Sequence, residues 1–268
     1  MSAYNSKRRG LAAFARFATA LPMALIFVAS PVSAADEMAN IHSVGIISMI
    51  GDFVAMKEAN DFSGAFQQDS CDISVSDWAV DEAVTQQIAS AIAPRIAVKT
   101  IVYSRSDFLE ANPKAVSDNR LPLLKRLVQA LPPQNAVDAY IIVRKRYVSS
   151  GEGPWLLGLG VLRSVVLFGA ASAQRAYAFF EVDVIDARTG EVIETGTNQI
   201  GSGWLSHSEP FAKVDEDYWT DSVDAFTAER KQALRNVLMP LIAKSLPYAL
   251  LDAELIPELP KTEAPPGD

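Results

Sequence analysis

The sequence predicts an α+β fold, a mixed or antiparallel β-sheet packed against two or three helices in a single domain. Three observations carry this. Branched apolar runs of strand length stand at Ile41–Ile50, Val137–Val148 and Ala176–Asp186. Two other segments repeat their apolar residues at helical spacing, one after Asp77 and one after Asp221. Between residues 35 and 256 no internal repeat and no composition shift marks a linker. A chain of this length buries about 70–75% of its unfolded surface in one core.

Taken in order, Ile41–Ile50 reads as a strand, and Gly51-Asp52 as a turn into a partner strand, Phe53–Met56. A further short strand is expected at Ile73–Val75. Asp77 is placed to cap a helix in which Val80, Val84, Ile88 and Ile92 recur every four residues, before Pro94 ends it. Ile96–Tyr103 is β-like. Leu121, Leu124, Leu127, Val128 and Leu131 then repeat at helical spacing until Pro132-Pro133. After the strand at Val137–Val148 comes an apolar segment beginning at Trp155, then the strand Ala176–Asp186 and its partner Glu191–Gln199. A long helix, roughly Asp221–Leu251, carries a broad stripe that includes Leu234, Leu238, Ile242 and Leu246. Residues 257–268 are a Pro-rich tail with too little apolar surface to pack.

The head of the chain reads as a processing signal. Lys7, Arg8 and Arg9 precede an apolar run, Phe17–Ala29, and Val32-Ser33-Ala34 offers the small residues of a cleavage site. The run carries Pro22 and is shorter than the roughly 20 residues that span a bilayer. Residues 1–34 are therefore expected to be a cleavable signal peptide, and the chain to be periplasmic. No Cys stands near the cut, so a lipoprotein is not expected.

Charge narrows the partners. The full chain carries −8, and cleavage after Ala34 removes four basic residues and no acidic one, giving −12. So acidic a domain is a poor ligand for nucleic acid, whose phosphates need clustered Lys and Arg. Cys71 is the single cysteine, flanked by Ser70 and Asp72, which favours an inert thiol.

Catalytic and metal chemistry find little support in the residue types. Only His42 and His207 are present, without a Gly-x-Ser-x-Gly elbow or a zinc-ligand spacing. No catalytic residue, metal or cofactor is expected. Asp215, Glu216, Asp217, Asp221 and Asp224 form the best calcium candidate but lack a turn glycine, and Asp221 and Asp224 suit a helix N-terminus better. Gly158-Leu-Gly160 and Gly201-Ser-Gly203 lack the third glycine and lysine of phosphate loops.

In Phe179–Ile185 the apolar Phe180, Val182 and Val184 alternate with Glu181 and Asp183, as in a half-buried strand with its acids facing water. Asp186-Ala-Arg-Thr-Gly-Glu191 then has the residue types of a hairpin turn. A strand ending in an Asp-x-x-Thr-Gly-Glu-Val hairpin resembles bacterial envelope domains of the curli-secretion lipoprotein and Tol propeller-protein N-terminal type. The opening Val44-Gly-Ile-Ile-Ser48 is similar to their first strand. The resemblance implies a mixed sheet packed on helices, with apolar insertions between strands serving as assembly or membrane surfaces.

The segment from Trp155 joins two strands where a short turn would suffice. Either the segment fills a core or lid, or it is an exposed apolar loop. On the second reading Trp155, Leu156, Leu157, Leu159, Val161, Leu162 and Phe168 are the expected contact residues for a partner, a membrane or a ligand. The expected function is a non-enzymatic envelope protein acting through an envelope protein, a membrane surface or a second copy of itself. A periplasmic carrier of an apolar ligand is the alternative, and a hydrolase the third reading.

Overall fold

The computed structural model describes residues 38–60, 70–149, 155–165, 172–198, 210–215, 218–220 and 222–260, within one compact unit, Ser33–Asp268. The expected signal peptide, most of the Pro-rich tail, Phe168, His207 and Asp217 and Asp221 lie outside the described residues. The fold is α+β, two mixed sheets packed with helices.

The first sheet has the strand order β11-β10-β5-β1-β4, from β1 (Ser43–Ser48), β4 (Ala97–Lys99), β5 (Ala139–Lys145), β10 (Phe180–Asp186) and β11 (Val192–Thr197). The second has the order β12-β9-β8-β2-β3, from β2 (Phe53–Asn60), β3 (Ser70–Ser74), β8 (Leu159–Val165), β9 (Ser172–Ala178) and β12 (Phe211–Val214). A small hairpin pairs β6 (Tyr147–Ser149) with β7 (Trp155–Leu157). Strands β1 and β5 are parallel, as are β2 and β8, whereas β10 and β9 run antiparallel to their neighbours.

The two sheets share three segments of chain. β1 leads into β2 through residues 49–52, β9 into β10 through Phe179 alone, and β5 into β8 through residues 146–158. The same lateral order, β10-β5-β1 and β9-β8-β2, recurs on both sides of the corner.

One face of both sheets forms the main core. Val44, Ile46, Ile141, Val143, Val182 and Val184 of the first sheet join Val54, Met56, Leu159, Val161, Ala176 and Ala178 of the second. Two helices cover it, α1 (Val80–Ile92) through Val84, Ile88 and Ile92, and α4 (Ala228–Asp252) through Leu234, Leu238, Ile242 and Leu246. Each such side chain, fully buried, contributes about 1.5–3 kcal/mol. The opposite face carries two separate satellites. Over the first sheet, α2 (Arg105–Leu109) and α3 (Leu121–Gln129) bring Phe108, Leu124 and Val128 onto Ile47, Tyr140, Ile142 and Ile185. Over the second, Val148 and Leu156 of the β6–β7 hairpin press on Ala59, Leu162, Tyr177 and Phe179.

Several expectations are corrected. Asp77 does not cap α1: it lies in a 3-10 turn, Ser76–Trp78, and the residue before the helix is Ala79 in the left-handed region at φ 55°. The long helix begins at Ala228, where Thr227 Oγ1 accepts from Arg230 N–H, and Asp224 belongs to a preceding 3-10 turn. The segment after Trp155 is not one insertion. Its first part is β7, and its second, β8, is the middle strand of the second sheet, so Leu159 and Val161 are core. Its continuous apolar pattern follows from burial on both sheet faces.

The acids of β10 do not face water either. Asp183 is fully buried and Glu181 largely so, because Arg144 on β5 spans both, with Nε 2.5 Å from Asp183 Oδ2. Thr195 Oγ1 donates to Asp183 Oδ1 at 2.7 Å. Burial raises the Glu181 pKa, an effect Arg144 offsets only in part. The hairpin turn is as expected: Asp186 Oδ1 accepts from Arg188 N–H (3.0 Å) and Thr189 N–H (2.5 Å), and the turn closes at Gly190 with φ 68°.

Candidate functional site

The two satellites do not meet, and a cavity of about 710 Å³ opens between them at the corner. Its walls follow from strand alternation. In the β6–β7 hairpin, Val148 and Leu156 point down into the satellite core, so Tyr147, Leu157 and Trp155 line the cavity. From β2 the alternate residues Phe53, Ala55 and Lys57 form a second wall, while Val54 and Met56 go to the main core. The segment that follows α2 supplies the third wall, with Asn112, Pro113 and Val116 among its residues.

The floor is Lys145, the last residue of β5 and only 1% exposed. Its ammonium is paired with Asp52 and lies 3.1 Å from the centre of the Phe53 ring. Burial lowers the Lys145 pKa, and the Asp52 carboxylate restores part of it. Gly158 makes the space: with φ at 61°, a Cβ there would stand 2.7 Å from Lys145 Cδ. Gly160 is likewise confined, since its absent Cβ would meet the Tyr177 ring at 2.1 Å. These contacts, not a phosphate, account for the Gly-Leu-Gly spacing.

Three devices hold the corner. Asn112, buried, donates from Nδ2 to Met49 O (2.6 Å) and accepts at Oδ1 from Lys145 N–H (3.0 Å), tying the third wall to the β1–β2 connection and to β5. Asp81, buried at the start of α1, fixes residues 48–51. Its Oδ1 accepts from Ser48 Oγ (2.8 Å), Ile50 N–H (2.9 Å) and Gly51 N–H (3.1 Å), and Oδ2 accepts from Arg105 Nε (3.1 Å). At the break in β9–β10, Phe179 N–H donates to Gly158 O (2.7 Å) and Phe179 O accepts from Arg146 N–H (3.2 Å). A further bond, Gly158 N–H to Arg146 O at 3.3 Å, closes the base of the excursion over residues 147–157.

The expected contact residues are thus divided. Leu156, Leu159, Val161 and Leu162 are buried, and no partner reaches them in this conformation. Trp155 and Leu157 line the cavity, Trp155 remaining 42% exposed. Lys145, Asp52 and Asn112 were missed. Lys145 stands at the end of an apolar strand run, Tyr140–Val143, and a cation there is the one signal of a charge carried into the interior. Asp52 read only as a turn residue.

His42 is exposed at the start of β1. Cys71 on β3 is partly buried, with Sγ 3.7 Å from Thr220 O. Among the described residues no group of three or more His, Cys, Asp or Glu is placed to hold a metal ion. Among them, too, no helix is long and apolar enough to cross a membrane.

No family model matches the chain, and no curated protein matches it. A crystal structure from Helicobacter pylori, provisionally described as a neuraminyllactose-binding hemagglutinin homolog, aligns with 77% of this chain and 86% of its own at 10% identity and a TM-score of 0.34. A hypothetical protein of Chlamydia trachomatis aligns with 77% of this chain and 98% of its own at 9% identity and a TM-score of 0.22. These are distant structural resemblances and assign the chain to no family.

Proposed function

We propose that this chain is an exported, non-enzymatic binding protein of the cell envelope that holds a small amphipathic molecule in the corner cavity. The observation that carries the reading is the cavity itself. At about 710 Å³ it falls within the roughly 300–1,000 Å³ typical of small-molecule sites. Its lining mixes apolar and aromatic side chains, Phe53, Tyr147, Trp155 and Leu157 among them, with six charged residues, three acidic and three basic. The export element rests on the signal-like residues 1–34 alone.

Titration of the purified chain with the apolar fluorophore N-phenyl-1-naphthylamine tests the reading. Saturable binding at one site is expected. Leu157→Asp, which sets a charge on the cavity wall, should weaken it about tenfold, equivalent to roughly 1.4 kcal/mol. Unsaturable binding, or equal affinity in the variant, would sink the proposal. A second reading, contact with an envelope partner, keeps one observation in its favour: Trp155 and Val116, two apolar residues that line the cavity, are 42% and 49% exposed.

A further inference from the structure

The cavity floor carries a nucleophile that simple binding does not use, and we propose that Lys145 captures a carbonyl-bearing amphiphile, an aldehyde or ketone on an apolar chain, as a covalent imine. The inference rests on the binding reading above and adds the chemical class of the ligand.

Three lysines line the cavity, and they differ in kind. Lys114 is 58% exposed at its side chain and paired with Glu110 at 2.5 Å, and Lys57, on β2 between β8 and β3, is half-buried. Lys145 alone is enclosed, its stem against Gly158 and its nitrogen between the Phe53 ring and the Asp52 carboxylate. A free lysine loses rotamer freedom when it is fixed; here the fold has already fixed it on the floor of a cavity lined by both apolar and charged side chains. Asp52, Asp72 and Asp81 are the carboxylates whose fields reach the amine. Burial nonetheless outweighs them, so the buried amine gives up its proton more readily than an exposed lysine does.

The step balances without an oxidant or reductant. Asp52 takes one proton from the ammonium, and the nitrogen lone pair forms a bond to the carbonyl carbon. The carbonyl π electrons move to oxygen, which takes the proton back from Asp52 and becomes a hydroxyl. A second N–H proton, relayed by the same carboxylate, leaves with that hydroxyl as water. The product is a protonated imine whose charge remains between Asp52 and the Phe53 face, the two groups that held the ammonium.

Hexanal is the probe, with sodium cyanoborohydride present to reduce any imine to a stable secondary amine, followed by peptide mapping of the full chain at pH 7. Lys145 is expected to be alkylated faster than any exposed lysine, because the cavity holds the aldehyde beside an amine that burial keeps less often protonated. Lys145→Met, checked by circular dichroism, should lose the fast adduct and keep the slow ones. Alkylation spread over exposed lysines with Lys145 spared overturns the inference. If 1-hexanol still quenches Trp155 fluorescence in that case, the binding reading stands without it. If neither adduct nor quenching occurs, both fall.

Discussion

Two segments of chain turn the same corner side by side and do so in opposite ways. From β9 to β10 the chain spends one residue, Phe179, whose backbone is bonded to Arg146 and Gly158 and whose ring packs edge-on against Phe211 at 5.4 Å. From β5 to β8 it leaves the sheet for residues 146–158 and returns, and the hairpin so formed is held at its base by Gly158 and Arg146. The short turn closes the sheet; the long one opens a chamber. A cavity and an exposed tryptophan belong to the long turn, and the buried cation Lys145 stands at its entrance as the last residue of β5. Irregular chain at a sheet boundary is where side chains with uncompensated chemistry can be placed, because strand pairing there no longer dictates what faces inward.

The third crossing, residues 49–52 between β1 and β2, shows that the corner also needs a side-chain lock. Asp81→Ala would leave the buried Ile50 and Gly51 N–H groups and the Ser48 hydroxyl without their acceptor. The largest loss is expected here, about 3–5 kcal/mol in urea denaturation, each orphaned buried donor costing roughly 1–3 kcal/mol. A loss below about 1 kcal/mol would mean that the corner is held by the sheets alone. Phe179→Leu tests the short turn. It keeps most of the buried volume and removes the ring contacts with Tyr177 and Phe211. About 1–2 kcal/mol should be lost, each aromatic pair contributing about 0.5–1.5 kcal/mol beyond burial, with affinity for the naphthylamine probe unchanged. Lost affinity at full stability would reverse the assignment of roles between the two turns.

How much of this was legible in the sequence depends on the range of the interaction. Strand and helix positions rest on local periodicity, and Val80, Val84, Ile88 and Ile92 do face the core as their spacing predicts. The Asp186–Gly190 turn is also local, and it was read correctly. Burial pushes against the Asp186 charge, but the Thr189 and Arg188 N–H groups outweigh it and hold its carboxyl below the usual range. What escaped depends on partners distant in sequence. Glu181 and Asp183 alternate as water-facing acids should, yet Arg144, 39 residues from Asp183, covers them. Asp81 carries no local signal of its role, since the groups of residues 48–51 that donate to its Oδ1 lie 30 to 33 residues upstream. Trp155–Val165 was apolar for two reasons at once, a hairpin with one buried face and a strand buried on both, and no local pattern separates them.

The smallest stability effect is the one that most sharply separates the two turns. Lys145→Met keeps the length and packing of the stem and removes the buried charge, while Asp52 retains 26% side-chain exposure and can be hydrated. Stability at pH 7 is expected to stay within about 1.5 kcal/mol of the parent, since a well-packed apolar replacement commonly offsets the loss of a buried ion pair. The informative quantity is its pH dependence. Burial is the larger influence on Lys145 and lowers its folded pKa, so between that value and the unfolded value of about 10.4 the unfolded chain holds more protons than the folded one. Parent stability therefore gains with pH across this window, and the variant lacks that gain. Stability of the variant relative to the parent should accordingly fall as the pH rises from 7 to 10, with every other titrating group cancelling in the difference. A flat difference would mean that Lys145 titrates as an exposed lysine does. The long turn would then be no more than a longer version of the short one, and its cavity would have no reactive floor.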